Sequence, residues 1–167
     1  MMETKQNLKT AFAGESQANR KYLAFAQQAE KEGYPVIAGL FRAVAEAETI
    51  HAQTHLRNLG GIADTLTNLQ AAVAGEVYEV TEMYPGMVAA AEAEGETRAA
   101  QGMQQAMEVE KIHGALFEQA IAALSSGKDL AGDSFHICPV CGHTEIGPPP
   151  ERCPVCNAKG SSYILVR

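Results

Sequence analysis

Five glutamates and two histidines interrupt helical stripes that are otherwise apolar. They are Glu15, Glu48, His51, Glu76, Glu79, Glu110 and His113. The three- to four-residue spacing of the stripes places these side chains on the faces that amphipathic helices bury. An unpaired buried ion is strongly destabilising, and no Lys or Arg lies on these stripes beside the carboxylates. Two multivalent cations would neutralise the cluster, so the pattern predicts a two-metal site.

Two Glu-x-x-His pairs strengthen this prediction: Glu48 with His51, and Glu110 with His113. Residues at i and i+3 share one face of a helix and can bind one metal together. A ferritin-like two-metal site takes such a pair from each of two helices and a single Glu from each of two others. Glu15 and Glu76 supply the single residues here. Mixed carboxylate and imidazole ligands suit iron or manganese better than thiolate-preferring metals.

Four cysteines near the C-terminus form two Cys-x-x-Cys pairs: Cys138 with Cys141, and Cys153 with Cys156. This spacing predicts one tetrahedral four-thiolate metal site. A module of about 32 residues is too small for a core of its own, so the metal must supply much of its folding energy. The spacing alone leaves zinc and iron open. A four-thiolate iron has no open coordination position, so it would transfer electrons without binding substrate.

Four predicted helices and a small terminal module position these ligands. The helices are predicted at residues 4–31, 36–58, 66–94 and 97–125, where helix-forming Ala, Glu, Gln, Leu and Met dominate. Pro85 is expected to kink or divide the third helix. The segment after residue 135 holds every cysteine and five of the seven prolines, which indicates short strands and turns around a metal. The predicted architecture is an all-α four-helix bundle at 1–130 followed by a metal-binding β module at 135–167.

The net charge is −7 and the isoelectric point about 5.2, which argues against nucleic acid or a membrane surface as a partner. No apolar run reaches the ~18 residues that a membrane span needs. The first residues lack the apolar stretch of a signal peptide, so a cytoplasmic location is expected.

Several motifs make the sequence resemble the rubrerythrins over nearly its whole length. They are Gly14-Glu15-Ser16-Gln17-Ala18-Asn19, the two Glu-x-x-His pairs, Gly75-Glu76-Val77-Tyr78-Glu79 and Thr81-Glu82-Met83-Tyr84-Pro85. The resemblance implies a ferritin-like bundle with a rubredoxin-like C-terminal domain. It also favours iron over zinc at the cysteines. Asn157 stands where a rubredoxin-like turn usually has Gly, and Asn tolerates the left-handed backbone needed there.

The same resemblance assigns roles to individual residues. Glu15, Glu48, Glu76, Glu110, His51 and His113 would bind two irons, and Glu79 would be the additional carboxylate typical of rubrerythrins. One iron would exchange His51 for Glu79 as its oxidation state changes. Tyr22 and Tyr84 match tyrosines that hydrogen-bond the ligand carboxylates.

The activity that the resemblance implies is reduction of hydrogen peroxide to water. Electrons would reach the two-iron site through the cysteine-bound iron from an external donor, a rubredoxin or a nicotinamide-dependent reductase. Oxygen reduction or ferroxidase activity, iron storage, and a structural zinc protein are the alternatives.

The short link between the second and third predicted helices suggests a homodimer. These two helices run parallel in a ferritin-like bundle, so the link must return along the bundle over about 30 Å. Residues 59–65 span at most about 25 Å when fully extended. We therefore expect a domain-swapped dimer, in which the first two helices of one chain complete the site of its partner.

Overall fold

The computed structural model describes residues 2–166. They form two compact units, and the division between the units lies between Ala63 and Asp64. No helix in the described part of the chain is both long enough and apolar enough to cross a membrane.

The first unit is a pair of packed helices, α1 (Met2–Lys31) and α2 (Pro35–Asn58). Two contacts show that the helices are antiparallel. Glu30, near the end of α1, pairs with Arg42 in the first half of α2, whereas Asn19, earlier in α1, bonds the carbonyl of Ala45, further along α2. The turn between them uses Gly33 at φ +84°, and the amide of Tyr34 donates to the carbonyl of Ala29. Glycine with a left-handed backbone is common just after the last residue of a helix, and Gly33 ends α1 in this way.

Small side chains set the contact between α1 and α2. Ala38, Ala45 and Ala52 are buried on α2 at intervals of seven residues, which places them on one line along the helix. Ile37 and Leu40 lie on the apolar stripe of α2, which the helical spacing predicts to be buried, but Leu40 is 63% exposed and Ile37 is also exposed. Two helices alone cannot surround a stripe of large side chains, so these two residues are not buried within a single chain.

The second unit begins with a helical stretch that is divided by a π-helical turn. Helix α3 (Thr65–Tyr78) starts at Asp64, whose carboxylate accepts from the amide of Thr67 at 2.9 Å. The π-helical turn covers Glu79–Met83, and α4 covers Tyr84–Ala93. The structure therefore divides the predicted helix over 66–94 into three segments, which agrees with the division expected near Pro85. Proline has no N–H for the helical ladder, and the amide of Tyr84 instead bonds the carbonyl of Glu79, five residues back.

Helix α5 (Thr97–Ser125) packs against α3 and α4, and the cysteine module follows it. The module has three short antiparallel strands, β1 (Phe135–Ile137), β2 (Thr144–Ile146) and β3 (Ile164–Val166), in the order β2-β1-β3. A single 3₁₀ turn covers Gly160–Ser162. Val109 of α5 is fully buried, and its side chain faces Gly142 in the module. The mainly α fold class with a small terminal β module is confirmed.

Candidate metal centres

The first unit brings together Glu15, Glu48 and His51. One ligand atom from each lies within 4.8 Å of the others. His51 Nδ1 is 2.9 Å from a carboxylate oxygen of Glu48, the geometry that the i, i+3 spacing predicts. The His51 side chain is 56% exposed, so this cluster opens at the surface of its own unit.

Asn19 holds α1 and α2 in the register that this cluster needs. Its side-chain amide donates to the carbonyl of Ala45 at 2.7 Å and to the hydroxyl of Thr49 at 2.9 Å. Asn19 lies one turn after Glu15, and Thr49 is next to Glu48, so these bonds bring the two glutamates to one level. The sequence offered a signal for this role, because Asn19 continues the buried stripe of Glu15.

The second unit brings together Glu76, Glu110 and His113 in the same way. One ligand atom of each lies within 4.8 Å of the others, and His113 Nδ1 is 2.6 Å from a Glu110 oxygen. Burial, and then the negative charge of Glu110, raise the pKa of the Glu76 carboxyl. The cluster thus gathers like charges in a partly desolvated place, where a cation would stabilise them.

Glu79 and Tyr84 face the same carboxylates from the π-helical turn and from the start of α4. Burial, and then the charge of Glu110, raise the pKa of Glu79. Burial, and then the charge of Glu79, raise the pKa of the Tyr84 hydroxyl. Tyr22 of the first unit instead packs its ring on Phe25 and Phe41, and within residues 2–166 its hydroxyl has no hydrogen bond.

The imidazole of His113 is oriented for metal binding by a contact that the sequence did not reveal. His113 Nε2 lies 3.1 Å from the Thr144 hydroxyl, which itself donates to the carbonyl of Gly142. Because the Thr144 hydroxyl donates to Gly142, it accepts from Nε2–H, and in the neutral imidazole the lone pair then lies on Nδ1. Nδ1 lies 2.6 Å from the Glu110 oxygen, a hydrogen-bond length at which the two atoms share a proton, and a metal ion in place of that proton would be bound by both. The donor set therefore fits the predicted iron.

Metal-free protein should be stabilised when the charge of Glu79 is removed. The folded-state pKa of Glu79 is raised above its unfolded value of 4.5, so its contribution to stability is full below that pH and is lost as the pH rises through the folded-state pKa. Apoprotein carrying Glu79→Gln should therefore unfold at higher urea than the wild-type apoprotein at neutral pH, with the gain disappearing towards pH 4.5.

Glu82→Gln is the matched control, since Glu82 is an exposed carboxylate in the same π-helical turn. An equal gain from both substitutions would show that general surface charge is responsible, and would contradict a specific role for Glu79.

The four cysteines form a closed cluster in which one Sγ from each lies within 4.8 Å of the others. Two of the sulfur pairs, Cys138 with Cys156 and Cys141 with Cys153, are 3.5 Å apart. Tetrahedral binding at about 2.3 Å per thiolate would separate the sulfurs by about 3.8 Å. The cluster therefore has the size of a four-thiolate metal site.

The two cysteine turns repeat one backbone design. The amide of Gly142 donates to Cys138 and that of Asn157 to Cys153, each at 2.9 Å. Both donors, Gly142 and Asn157, have a left-handed backbone, with φ +86° and +62°. The expected tolerance of Asn157 for this backbone is confirmed.

The surroundings of the sulfurs differ from one cysteine to the next. Burial raises the pKa of Cys141 and Cys156. Burial also acts to raise the pKa of Cys153, but hydrogen bonds from the Tyr163 hydroxyl and from backbone amides outweigh it and lower that pKa to about 6. A metal ion that replaced the thiol protons would stabilise the charged form of all four partly buried sulfurs. The four cysteines are therefore suited to bind a metal.

Comparison with known proteins covers both parts of the chain. The family model for rubrerythrin matches residues 6–121, and the model for the rubredoxin-like domain of rubrerythrin matches residues 136–163. The chain is 35% identical to rubrerythrin-2 of Clostridium acetobutylicum, over 93% of this chain and 92% of that protein. It is 36% identical to nigerythrin of Nitratidesulfovibrio vulgaris, over 92% of this chain and 81% of that one.

Solved structures agree with these matches. Nigerythrin in a mixed-valence state has a TM-score of 0.58 at 32% identity, covering 98% of this chain and 86% of its own. The fully reduced, all-ferrous nigerythrin gives 0.57 at 33% identity. The resemblance predicted from the motifs is confirmed. The chain carries a carboxylate and histidine site of the two-iron type and a rubredoxin-like four-cysteine site.

Proposed function

Because the chain belongs to the rubrerythrin family, we propose that this oxidoreductase is a peroxidase. It reduces hydrogen peroxide to water with electrons that pass through the four-cysteine site. The observation that carries the proposal is the contact between His113 and the module. Through this contact the cluster of Glu76, Glu110 and His113 lies beside the four-cysteine cluster within the second unit. The first could bind a substrate at its metal, whereas four thiolates would leave no free coordination position.

Seven residues would hold the two irons: Glu15, Glu48, His51, Glu76, Glu79, Glu110 and His113. When bound, two ferrous irons supply two electrons that, with two protons, convert one hydrogen peroxide into two waters. Tyr84 would hold its hydroxyl proton towards the carboxylates, and Tyr22 would do so from the first unit. Glu79 would take the place of His51 as the oxidation state rises, since the anionic oxygen suits the harder ferric ion.

The chain offers a short route for electrons between the two kinds of site. Gly142 is next to Cys141, and its carbonyl and the Thr144 hydroxyl both contact His113 Nε2, at 3.3 and 3.1 Å. Each peroxide takes two electrons, so the four-cysteine iron would deliver one electron twice. The external donor would be a rubredoxin or a nicotinamide-dependent reductase. Four free cysteines fit a reducing compartment, the cytoplasm.

The ligand set supports assembly as a domain-swapped homodimer. Each unit carries one three-residue cluster, half of a two-iron site. Helix α2 continues for about 15 Å beyond Glu48, and α3 begins about 16 Å before Glu76. The link from Asn58 to Thr65 reaches about 25 Å when extended, less than the combined return path of about 30 Å. Exposed Ile37 and Leu40 would pack against the partner.

Stopped-flow oxidation of the anaerobically reduced protein tests the peroxidase proposal. Hydrogen peroxide should oxidise the diferrous protein at least about tenfold faster than dioxygen, a barrier difference of about 1.4 kcal/mol. Cys141→Ser serves as the control: the single oxidation should persist, whereas continuous turnover with a reductase should stop. Faster oxidation by dioxygen would indicate an oxygen reductase or ferroxidase, and sustained mineral formation would indicate iron storage.

A further inference from the structure

A cleft between α3 and α5 has no part in the function described so far. It has a volume of about 250 Å³, and the metal-binding candidates Glu76 and Glu110 both line it. Thr81 and Ala115 also line it and are exposed, so the cleft opens to solvent within the second unit. At about 30 Å³ for each water, it has room for several waters or for one small molecule beside the two carboxylates.

Gly114 borders this cleft where it meets Glu76. It lies inside α5 with an ordinary helical backbone, so no left-handed turn requires a glycine there. A glycine inside a helix is destabilising by about 1 kcal/mol relative to Ala, and such a residue usually has a packing or functional reason. A Cβ atom at Gly114 would lie 3.7 Å from the Cβ of Glu76. Any larger side chain at this position would therefore occupy the space beside a metal ligand.

The other side of the cluster is less suited to a small polar ligand. His113 and Gly114 lie on opposite sides of Glu110, because successive residues of a helix turn by about 100°. The Nε2 of His113 is already bonded to the Thr144 hydroxyl at 3.1 Å. A cavity of about 530 Å³ lies beside His113, but apolar surroundings do not replace the hydrogen bonds that a peroxide makes to water. The apolar side chains that line this cavity include Leu69, Leu116 and Phe117.

We propose that the cleft between α3 and α5 is the entry route for hydrogen peroxide, and that Gly114 is a specificity-determining residue that limits the route to small hydroperoxides. The inference rests on the proposed peroxidase activity. The route ends beside Glu76 and Glu110, where the proposed irons would be bound. Hydrogen peroxide has two heavy atoms and no charge. A branched alkyl hydroperoxide carries the same O–O bond but has to bring its alkyl group past Gly114.

Stopped-flow oxidation of the anaerobically reduced, iron-loaded full chain tests the size limit. Hydrogen peroxide and tert-butyl hydroperoxide are compared in the wild type and in Gly114→Ala. The added methyl should lower the rate constant for tert-butyl hydroperoxide at least about threefold and leave that for hydrogen peroxide within about twofold, because the larger molecule is hindered more. Equal effects on the two peroxides would overturn the role of Gly114 in specificity.

Azide binding to the oxidised protein tests the route without turnover. Gly114→Leu should lower the association and dissociation rate constants together, at least about threefold each, and leave the dissociation constant within about twofold. A narrower route slows entry and exit alike, whereas a displaced Glu76 would change the affinity itself. Ala115→Leu, at the exposed mouth of the cleft, should act in the same way and keeps the test decisive if Gly114→Leu loses iron.

Gly102→Leu is the matched control, since Gly102 is an exposed glycine of the same helix and a Cβ atom there would meet no atom of another described element within 4 Å. It should leave all of these rates unchanged. Unchanged azide rates, or a changed dissociation constant, in the iron-loaded cleft variants would overturn the entry route, and a wild-type preference for peroxide would still support the peroxidase. Slower azide exchange in these variants, with a wild type that dioxygen oxidises faster than peroxide does, would support the route and refute the peroxidase alone.

Discussion

Glu110→Ala is expected to remove both carboxylate-bound irons and to lower peroxide reduction by more than about 100-fold. Glu110 lies at the centre of the second cluster: its oxygen is 2.6 Å from His113 Nδ1, and its charge acts on both Glu76 and Glu79. Its side chain is 17% exposed, so water cannot easily replace the missing ligand. Iron analysis should fall from about three irons per chain to about one, with the visible bands of the cysteine-bound iron retained.

Glu118→Ala is the control for this change, since Glu118 is an exposed carboxylate on the same helix. It should keep full iron content and full activity. Retention of about three irons in Glu110→Ala would place the metal elsewhere and would contradict the ligand assignment.

The metal-binding residues of this chain could be predicted from its sequence because each group of ligands depends on local spacing. Glu48 and His51, or Glu110 and His113, meet on one helix face whatever surrounds them, and the structure brings both pairs together. The two cysteine turns are equally local, down to the left-handed Asn157. Helix ends at Lys31, Asn58 and Ser125 agree with the glycines that follow them.

Contacts between distant segments could not be read in this way. Thr144 and Gly142 contact His113 across about 30 positions of sequence, and no periodicity marks the partner of a histidine ring N–H. The π-helical turn at Glu79–Met83 precedes Pro85, which cannot donate a backbone hydrogen bond to the helix. The 3.6-residue spacing of apolar residues does not show where such a change in backbone hydrogen bonding occurs. A stripe identifies the face that a helix buries without identifying which chain covers it, so the sequence does not predict the exposure of Ile37 and Leu40 within a single chain.

A mixed dimer of two inactive variants is expected to recover about half of the wild-type activity. One chain carries Glu48→Ala in the first unit, and the other carries Glu110→Ala in the second unit. In a swapped dimer one site combines both defects, whereas the other combines two intact units. The chains are given different affinity tags, refolded together and purified through both tags. Peroxide reduction and iron at the intact site then report the recovery.

The reciprocal mixture gives the opposite result and so controls for any general effect of mixing. Here one chain carries both Glu48→Ala and Glu110→Ala, and its partner is wild-type. A swapped dimer places one defect in each site and should be inactive, whereas an unswapped dimer would keep one intact site and half of the activity. Recovery in the reciprocal mixture, together with none in the first, would exclude the swap, because the ligands of a site would then come from a single chain.

In a swapped dimer, Glu48 and Glu110 would serve the same two-iron site from different chains. Each is matched by its own histidine within one unit, at 2.9 Å for Glu48 and 2.6 Å for Glu110. Either substitution leaves the other cluster intact, so a recovered site must have drawn one cluster from each chain. Both mixtures contain the same two substitutions, which lie on separate chains in the first mixture and on one chain in the second. Differences in folding or metal supply therefore cannot produce opposite outcomes. The result depends only on which chain completes which site.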